Sequence, residues 1–200
     1  DRLKRANPRC VPDEDPKDCI PPGQYLTKKF PVLTKGPTPN LHLDRWRFRL
    51  FGSVANDVEL TYSEFMPLPQ ATVTTDFHCV TRWSMLDSAW MGIHISEVLK
   101  KVDILSNTRF VMIHGHGQYT TNLPLADLRD DDVLFAHSWD GETLSKNHGG
   151  PLGHVVPKLY AWKSAKWVNG LEFMEYYQPG FREQAGYHDR GDPWKEERFS

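Results

Sequence analysis

The stretch ATVTTDFHCVTRWS, residues 71–84, joins a strand pattern to a turn that carries a cysteine. Its first nine residues alternate and are rich in β-branched side chains, which predicts a β-strand ending at Cys79. Cysteine in a globular chain is usually a small buried hydrophobe. Cys79 instead has polar and aromatic neighbours, among them His78, Arg82 and Trp83. This thiol is therefore either an inert buried group or a reactive one.

The segments on both sides of this stretch are short strand patterns mixed with short helical ones. Strands are predicted in RWRFRLFG, DVELT, RFVMIHG and GHVVPKLYAW, and a hairpin in DVLFAHSWDGETL that turns at Asp140-Gly141. Short helices are predicted after the capping-box spacing of Thr61 and Glu64, in HISEVLKKV and in LPLADLRD. Because these elements follow no regular βαβ rhythm, they favour an α+β fold with mixed sheets and short helices.

The 200 residues are enough for one domain with a substantial core. Residues 1–40 are rich in proline and charge, which predicts an extended N-terminal arm that wraps the domain. Residues 41–178 carry the periodic segments, and residues 179–200 form a polar, turn-rich C-terminal tail. The tail is expected to dock through three aromatic side chains, Phe181, Tyr187 and Trp194.

The composition argues against several classes of protein. The net charge is −2, from 24 Lys and Arg against 26 Asp and Glu, and no block of like charge indicates a nucleic-acid partner. No apolar run approaches the roughly 20 residues that span a bilayer, so no membrane span is expected. The sequence also contains no Walker loop, CxxC pair, CxxCH haem site or GxSxG elbow.

The three cysteines, Cys10, Cys19 and Cys79, do not suggest a secreted disulfide framework, because their number is odd. Cys10 and Cys19 could form one bridge, but two free thiols in a reduced cytosolic protein are the favoured interpretation. No export signal is visible, so a cytoplasmic location is expected. The chain starts without methionine, and a removed export signal therefore stays open.

Three chemistries are open to Cys79. As a nucleophile it would need a nearby base, and the adjacent His78 points to the opposite face of a strand. As a zinc ligand it would need three further donors, for which His114 and His116, predicted to share a strand face at i, i+2, are candidates. As a soft thiolate ligand of a cofactor metal it needs no second protein ligand, because the cofactor supplies the rest.

The third chemistry gains support from the order of four downstream motifs. CVTRWS, the W-x-G of Trp90 and Gly92, NHGGP and KSAKW together resemble the molybdopterin-binding domain of the sulfite oxidase family, in particular its small haem-free bacterial-type members. The likeness runs from about Phe30 to Tyr177. It implies a sulfite oxidase-type fold and a molybdenum held by one cysteine thiolate and the dithiolene of a single molybdopterin. The implied enzyme is an oxidoreductase that transfers an oxygen atom to or from a small substrate, such as sulfite, a sulfoxide or an N-oxide.

The resemblance also implies roles for particular residues. Cys79 would be the metal ligand and a catalytic residue, and His137, where relatives have an active-site tyrosine, would donate a proton or hydrogen bond to the substrate. Nine further residues would contact the cofactor: Leu33, Thr34, His78, Arg82, His114, His148, Ser164, Ala165 and Lys166. Because the sequence has no haem or iron–sulfur motif, an external electron-transfer partner is expected, such as a cytochrome, flavoprotein or ferredoxin.

The chain departs from the family pattern at two places. Gly153 stands where relatives usually have an arginine, so the cofactor loses a cationic partner that the neighbouring His154 replaces only in part. Leu33 and Lys35 stand where animal and plant sulfite oxidases have an arginine and a histidine, which argues against a classical sulfite oxidase. Two alternatives follow: a non-catalytic binding module of the same fold without cofactor and, less favoured, a zinc hydrolase.

Overall fold

The structure, a computed structural model, describes residues 2–3, 15 and 19–200. In this part of the chain, β-strands form two sheets that short α-helices and 3-10 turns connect. The helices are α1 (Tyr62–Phe65), α2 (Ile95–Leu99) and α3 (Leu125–Leu128). This architecture confirms the predicted α+β class with mixed sheets and short helices.

The first sheet combines parallel and antiparallel pairs. Its strands are β1 (Arg2–Leu3), β2 (Tyr25–Leu26), β5 (Gln70–His78), β6 (Trp83–His94), β9 (Leu134–Trp139), β10 (Glu142–Thr143) and β11 (Gly153–Val155). The order is β1-β5-β6-β9-β10, with β2 paired to β6 and β11 to β9. The strands β1 and β2 pair in parallel with their neighbours, so the N-terminal segment adds two strands to this sheet.

The second sheet lies against the first. Its strands are β3 (Arg47–Gly52), β4 (Val58–Thr61), β7 (Phe110–Gly115), β8 (Tyr119–Pro124) and β12 (Val168–Met174). The order is β4-β3-β12-β7-β8, with β12 parallel to β3 and antiparallel to β7.

Most predicted elements are present. The capping box before α1 forms, because the Thr61 amide donates to Glu64 Oε2 at 2.8 Å. The predicted hairpin consists of β9 and β10, and it turns at Asp140 and Gly141, both with positive φ. The sequence patterns do not predict β6 or β8. In β6, large apolar side chains point to both faces and the register shifts between Met91 and Gly92, so no clean alternation appears.

An intersheet core fills the space between the two sheets. Its fully buried side chains include Phe48, Phe65, Ile93, Ile113, Phe135 and Leu171. The Phe135 ring contacts the rings of Phe48 and Phe65, with centroids 5.1 and 5.9 Å apart. Aromatic pairs in this geometry add stabilisation beyond the area that they bury. The intersheet core therefore joins the sheets.

A second buried group lies on the other face of the first sheet. We call it the site cluster, and it contains Val73, Phe77, Cys79, Trp83, Met85, Trp90, Leu134, Ala136, Leu144 and Val155. Successive residues of β9 show the division: Leu134 and Ala136 belong to the site cluster, whereas Phe135 belongs to the intersheet core. The first sheet is therefore buried on both faces.

The C-terminal tail is docked through charged as well as aromatic side chains. Lys163 Nζ lies 2.6 Å from Glu183 Oε1, and both side chains are almost completely buried. Tyr187 packs edge-on against Trp162 at 5.2 Å. Burying a charge is costly unless it is paired, so the Lys163–Glu183 contact is a specific anchor for the tail. The division into arm, domain and tail stays a prediction.

The cysteines differ from the expectation. Cys79 is a free thiol, whereas Cys19 is disulfide-bonded, and Cys10 lies outside the described residues. The prediction of free thiols in the arm is therefore wrong for Cys19. Spacing along the chain does not predict pairing, because a disulfide depends on how closely the backbone brings two sulfur atoms together. The disulfide at Cys19 removes one of the grounds for expecting a cytoplasmic location. Within the described residues, no helix has both the length and the apolar character needed to cross a membrane.

Candidate functional site

A cavity of about 250 Å³ lies beside the end of β5, and Cys79 lines it. Its wall combines distant parts of the chain. The arm contributes residues from Phe30 to Lys35, and the tail contributes Arg182 and Tyr187. Most of the remaining wall comes from the segments that follow β5 and surround β11. We call the residues that line this cavity the cavity wall.

A tight turn between β5 and β6 carries the thiol. The Cys79 amide donates to the Trp83 carbonyl at 2.9 Å, and the Arg82 amide donates to the Cys79 carbonyl at 3.0 Å. Closing this turn requires Arg82 to adopt a φ of 76°, a conformation that side chains with a Cβ disfavour. The Thr81 hydroxyl donates to Cys79 Sγ at 3.2 Å. Cys79 is 7% exposed, and its sulfur already has one hydrogen-bond donor.

The N-terminal arm holds this turn from outside. Gln24 Nε2 donates to the Cys79 carbonyl at 3.1 Å, and the Tyr25 amide donates to the Arg82 carbonyl at 2.8 Å. Arg82 in turn donates to the Gly23 carbonyl at 3.3 Å. The arm therefore fixes the main chain on both sides of the thiol-bearing turn.

Seven of the residues predicted from the sequence lie together in the cavity wall: Leu33, Thr34, Cys79, His148, Ser164, Ala165 and Lys166. His148 stacks on Phe30 with centroids 4.2 Å apart, and its Nε2 donates to the Phe30 carbonyl at 2.9 Å. Because Nε2 carries the proton, Nδ1 accepts from the Ser145 hydroxyl at 2.9 Å. His148 thus ties the arm to the wall. The roles assigned to these seven residues stay predictions.

Lys166 is the most perturbed cation of the wall. Burial lowers its pKa to about 8, while the nearby Cys79 pulls it upward. Its Nζ donates to the Asn147 carbonyl at 2.7 Å. Desolvation disfavours the charged ammonium, and a bound anion would stabilise it. Lys166 is therefore suited to an anionic ligand.

Four other predicted residues lie away from the cavity wall: His78, Arg82, His114 and His137. His78 is adjacent to Cys79 on a strand and so points to the opposite side, where its Nδ1 lies 2.8 Å from Ser84 Oγ. His114 Nε2 contacts Glu172 Oε2 on the second sheet at 2.9 Å, and His137 Nε2 contacts Gln70 Oε1 at 2.8 Å. Their placement does not support the predicted contacts with cofactor or substrate.

Sequence reasoning missed several wall residues, notably His116, Tyr119, Trp162, Trp167, Arg182 and Tyr187. The prediction that His114 and His116 share a strand face is wrong, because β7 ends at Gly115 and His116 lies in the turn beyond it. A histidine directly after a strand end is a signal that could have identified it. Arg182 could not be found from its position, because it lies in the tail.

Two histidines of the wall are neutral and incompletely paired. Burial lowers the pKa of His154 to about 4 and also lowers that of His116. His154 Nδ1 donates to the Lys163 carbonyl at 3.3 Å, which makes Nε2 an acceptor. Neither His154 Nε2 nor His116 Nε2 has a hydrogen-bond partner among the described residues. A ligand with a donor at His154 Nε2 and a polar atom at His116 Nε2 would satisfy them.

The charges of the wall have one sign. Lys35, Lys166 and Arg182 line the cavity, and no Asp or Glu does so among the described residues. Arg182 lies over the ring of Tyr187 at 5.2 Å. The cavity wall therefore contains an arginine from the tail, although Gly153 itself offers no cationic side chain. Such a cavity attracts anions, including phosphate groups.

The donor set suits a pterin cofactor better than a protein-bound metal. The described residues contain no group of three or more His, Cys, Asp or Glu that could hold a metal ion, so zinc has no site in them. A metal bound to Cys79 would need its other ligands from a cofactor. Indole Nε1 atoms of Trp83 and Trp90 are also buried without partners in this part of the chain. Because a buried unpaired polar atom costs about 1–3 kcal/mol, the wall fits a ligand with many polar edges and a phosphate.

Comparison with known proteins agrees with this chemistry. The family model described as the oxidoreductase molybdopterin binding domain matches residues 35–182. Oxidoreductase YuiH of Bacillus subtilis (strain 168) is 39% identical over 182 residues, which cover 90% of this chain and 92% of that protein. A protein of Azospira oryzae with the provisional name protein-methionine-sulfoxide reductase subunit YedZ1 is 27% identical, covering 87% of this chain and 68% of its own length.

More distant relatives are larger. Sulfite oxidase of Arabidopsis thaliana is 25% identical over 87% of this chain, which spans 55% of that enzyme. The sulfane dehydrogenase SoxCD of Paracoccus pantotrophus has the same fold, with a TM-score of 0.64 at 17% identity, covering 90% of this chain and 56% of that one. These matches confirm the predicted fold and imply a molybdenum–molybdopterin cofactor. The chain belongs to the oxidoreductase molybdopterin-binding family and is a sulfite oxidase-like molybdopterin oxidoreductase.

Proposed function

We propose that this enzyme transfers an oxygen atom to or from a small substrate, with Cys79 as the one protein ligand of molybdenum. The observation that carries the proposal is the position of Cys79: a free thiol in the wall of a cavity that is lined by cations and, in the described residues, by no carboxylate. A lone thiolate suits a metal whose other ligands come from a cofactor. The resident cations suit an anionic group beside it.

When bound, the cofactor supplies a metal that changes its oxidation state by two electrons while an oxygen atom moves to or from the substrate. The protein positions the cofactor and neutralises its negative charge. Thr81 holds the sulfur through its hydroxyl, and the turn from Cys79 to Trp83 fixes the direction of the Cα–Cβ bond. Lys166 and the neighbouring Ser164 and Ala165 line the wall where a phosphate or pterin edge would bind. A bound anion would stabilise the Lys166 charge that burial disfavours.

The substrate is small and accepts hydrogen bonds. The cavity of about 250 Å³ holds few atoms beyond a cofactor edge, and its cations Lys35 and Arg182 favour a polar oxygen or an oxyanion. His137 lies away from the wall, so we do not propose it as the proton donor. Electrons pass to or from an external carrier, because the sequence has no motif for a second redox group.

The test combines metal analysis with Cys79→Ser. Protein made in cells that synthesise the cofactor should contain close to one molybdenum per chain, and the same protein from cells lacking pterin synthesis should contain none. A screen of sulfite, sulfoxides and N-oxides with artificial electron donors and acceptors should reveal the activity. Cys79→Ser should remain folded and lose at least about a thousandfold in rate, since the metal loses its protein ligand. An active Cys79→Ser enzyme would refute the assignment.

A cofactor-free binding module is the second candidate, and Gly153 is the observation that favours it. The family arginine is missing there, and the Gly153 Cα is close to the Leu144 side chain, since an added Cβ would lie 3.3 Å from Leu144 Cδ2. Pterin fluorescence after acid denaturation separates the two candidates. Release of about one pterin per chain supports the enzyme, and no release from cofactor-replete cells supports the module.

A further inference from the structure

Arg198, near the end of the tail, touches the turn that carries Cys79. Its Nη1 donates to the Val80 carbonyl at 2.7 Å, and its Nη2 donates to the Pro22 carbonyl at 3.3 Å. Arg198 is 8% exposed, although it carries a charge. A single guanidinium therefore joins the tail, the arm and the peptide that follows the thiol.

The surroundings of Arg198 do not explain its burial by charge pairing. Its acidic partner in the described residues, Glu196, is half-exposed and 3.9 Å away. Arg198 Nε is buried without a partner in the same part of the chain. The guanidinium also lies over the Tyr160 ring at 5.0 Å, a contact that compensates in part for lost hydration. Keeping a charge in such a place is costly, so the two carbonyl contacts are its main interactions.

A hydrogen bond to the Val80 carbonyl restrains the turn that carries the thiol. This carbonyl belongs to the Val80–Thr81 peptide, the second peptide after Cys79, inside a turn that closes while Arg82 keeps its positive φ. The arm secures the carbonyls of Cys79 and Arg82, and Arg198 secures the one in Val80 between them. Without this contact, the Val80–Thr81 peptide can rotate, and the turn and the Thr81 hydroxyl no longer fix the direction of the sulfur.

We propose that Arg198 is a positioning residue that keeps the Cys79 thiol directed into the cavity. The catalytic consequence of this inference rests on the proposed function of Cys79. The structural part of the inference does not rest on that function, because the orientation and protection of the thiol can be measured in protein that contains no cofactor.

The first experiment measures the reactivity of the thiol. Protein from cells unable to make pterin, kept without reductant, is treated with a chromogenic disulfide reagent, and Cys79→Ser protein gives the background. Arg198→Ala should react about tenfold faster or more, because a charge-assisted hydrogen bond that holds the turn is lost. Arg198→Lys retains one donor without the planar fork and should react at an intermediate rate. Rates within twofold of the wild type for both variants would overturn the proposal.

Two matched variants separate positioning of the turn from docking of the tail. Arg190→Ala removes another tail arginine, which pairs with Asp127 at 2.8 Å and does not line the cavity. It should react like the wild type. Phe199→Ala loosens the tail where Phe199 packs on Tyr187 at 5.2 Å but leaves the guanidinium in place. Reactivity as high as that of Arg198→Ala in this variant would contradict a direct role of Arg198. If Arg198→Ala does not fold, Arg198→Lys decides.

The second experiment uses the cofactor-loaded enzyme. Arg198→Lys should lower kcat several-fold with little change in KM, and the thiolate-to-metal absorption band should shift, because the sulfur binds the metal at a changed angle. Faster labelling of the apoprotein with unchanged kcat and spectrum would overturn the positioning role. An active Cys79→Ser enzyme would refute the proposed function alone, and the labelling result would still stand.

Discussion

The intersheet core and the cavity wall differ in how completely their buried polar atoms are hydrogen-bonded. The intersheet core packs fully buried apolar side chains, and Trp46 Nε1 is its one buried side-chain nitrogen or oxygen without a partner among the described residues. Among the residues of the cavity wall, by contrast, four buried polar atoms lack partners in the described part of the chain: Trp83 Nε1, Trp90 Nε1, His116 Nε2 and His154 Nε2. Unsatisfied polar atoms lower stability. The comparison indicates that the intersheet core provides stability, whereas the cavity wall retains polar atoms that can bind a ligand.

The largest expected effect lies in the intersheet core. Phe135→Ala should lower the free energy of unfolding by about 3–5 kcal/mol, because it opens a cavity beneath two other rings. Phe30→Ala, in the half-buried part of the cavity wall, should cost less than half of that and should lower pterin content instead. Urea denaturation of both variants measures the difference. Equal destabilisation would break the comparison.

Acid should destabilise the folded protein through two buried histidines, His78 and His154, whereas the apolar residues of the intersheet core do not titrate. Burial lowers the pKa of His78 and of His154 to about 4, from an ordinary value of 6.5. The unfolded chain therefore binds protons that the folded chain refuses as the pH falls from 6.5 to 4. Stability should be complete above pH 6.5 and decline by ~3 kcal/mol per histidine towards pH 4. Urea midpoints across this range measure the decline, and an unchanged slope in His154→Gln would contradict it.

A smaller effect is expected from removing one unpartnered polar atom of the cavity wall. His154→Leu removes the unpartnered Nε2 and should leave the stability of the cofactor-free protein within ~1 kcal/mol of the wild type. It should reduce retention of the cofactor about tenfold, because the ligand loses an acceptor. His42→Leu, an exposed position off the wall, is the control and should retain the cofactor normally. Unchanged retention in His154→Leu would mean that its Nε2 does not serve binding.

The smallest effect concerns the hydroxyl beside the sulfur. Thr81→Val removes the donor at 3.2 Å and should alter stability by ~1 kcal/mol or less. In the loaded enzyme, the metal should become harder to reduce, because a hydrogen bond to a ligating thiolate raises the potential. Potentiometric titration followed by paramagnetic resonance measures this shift, and Thr81→Ser should restore the wild-type value. An unchanged potential in Thr81→Val would mean that the hydroxyl does not influence the metal.

The predicted elements show what local patterns can reveal. β5 was predictable because its β-branched residues alternate up to Cys79, and Lys166 because KSAKW is a specific motif. β6 was not, since it is buried on both faces and interrupted by a register shift. Its burial pattern depends on neighbouring strands that periodicity along one chain does not reveal.

The site was predictable only where motif and contact coincide. His116 was weighed as a possible zinc ligand on a strand face, but it lies past the end of β7, and this altered what it contacts. Arg182 and Tyr187 were assigned to a tail, and their place in the wall depends on the buried Lys163–Glu183 pair. Contacts between distant segments follow from the folded topology, which spacing along the chain does not encode.

The cavity wall draws on both the early and the late parts of the chain, from Phe30 to Tyr187, and its thiol-bearing turn also contacts Arg198. A ribosome releases these parts in sequence, so the arm waits for its partners while the rest is being translated. The wall is complete only once Tyr187 has left the exit tunnel. A nascent chain stalled before Tyr187 would therefore present an incomplete binding site to whatever delivers the pterin.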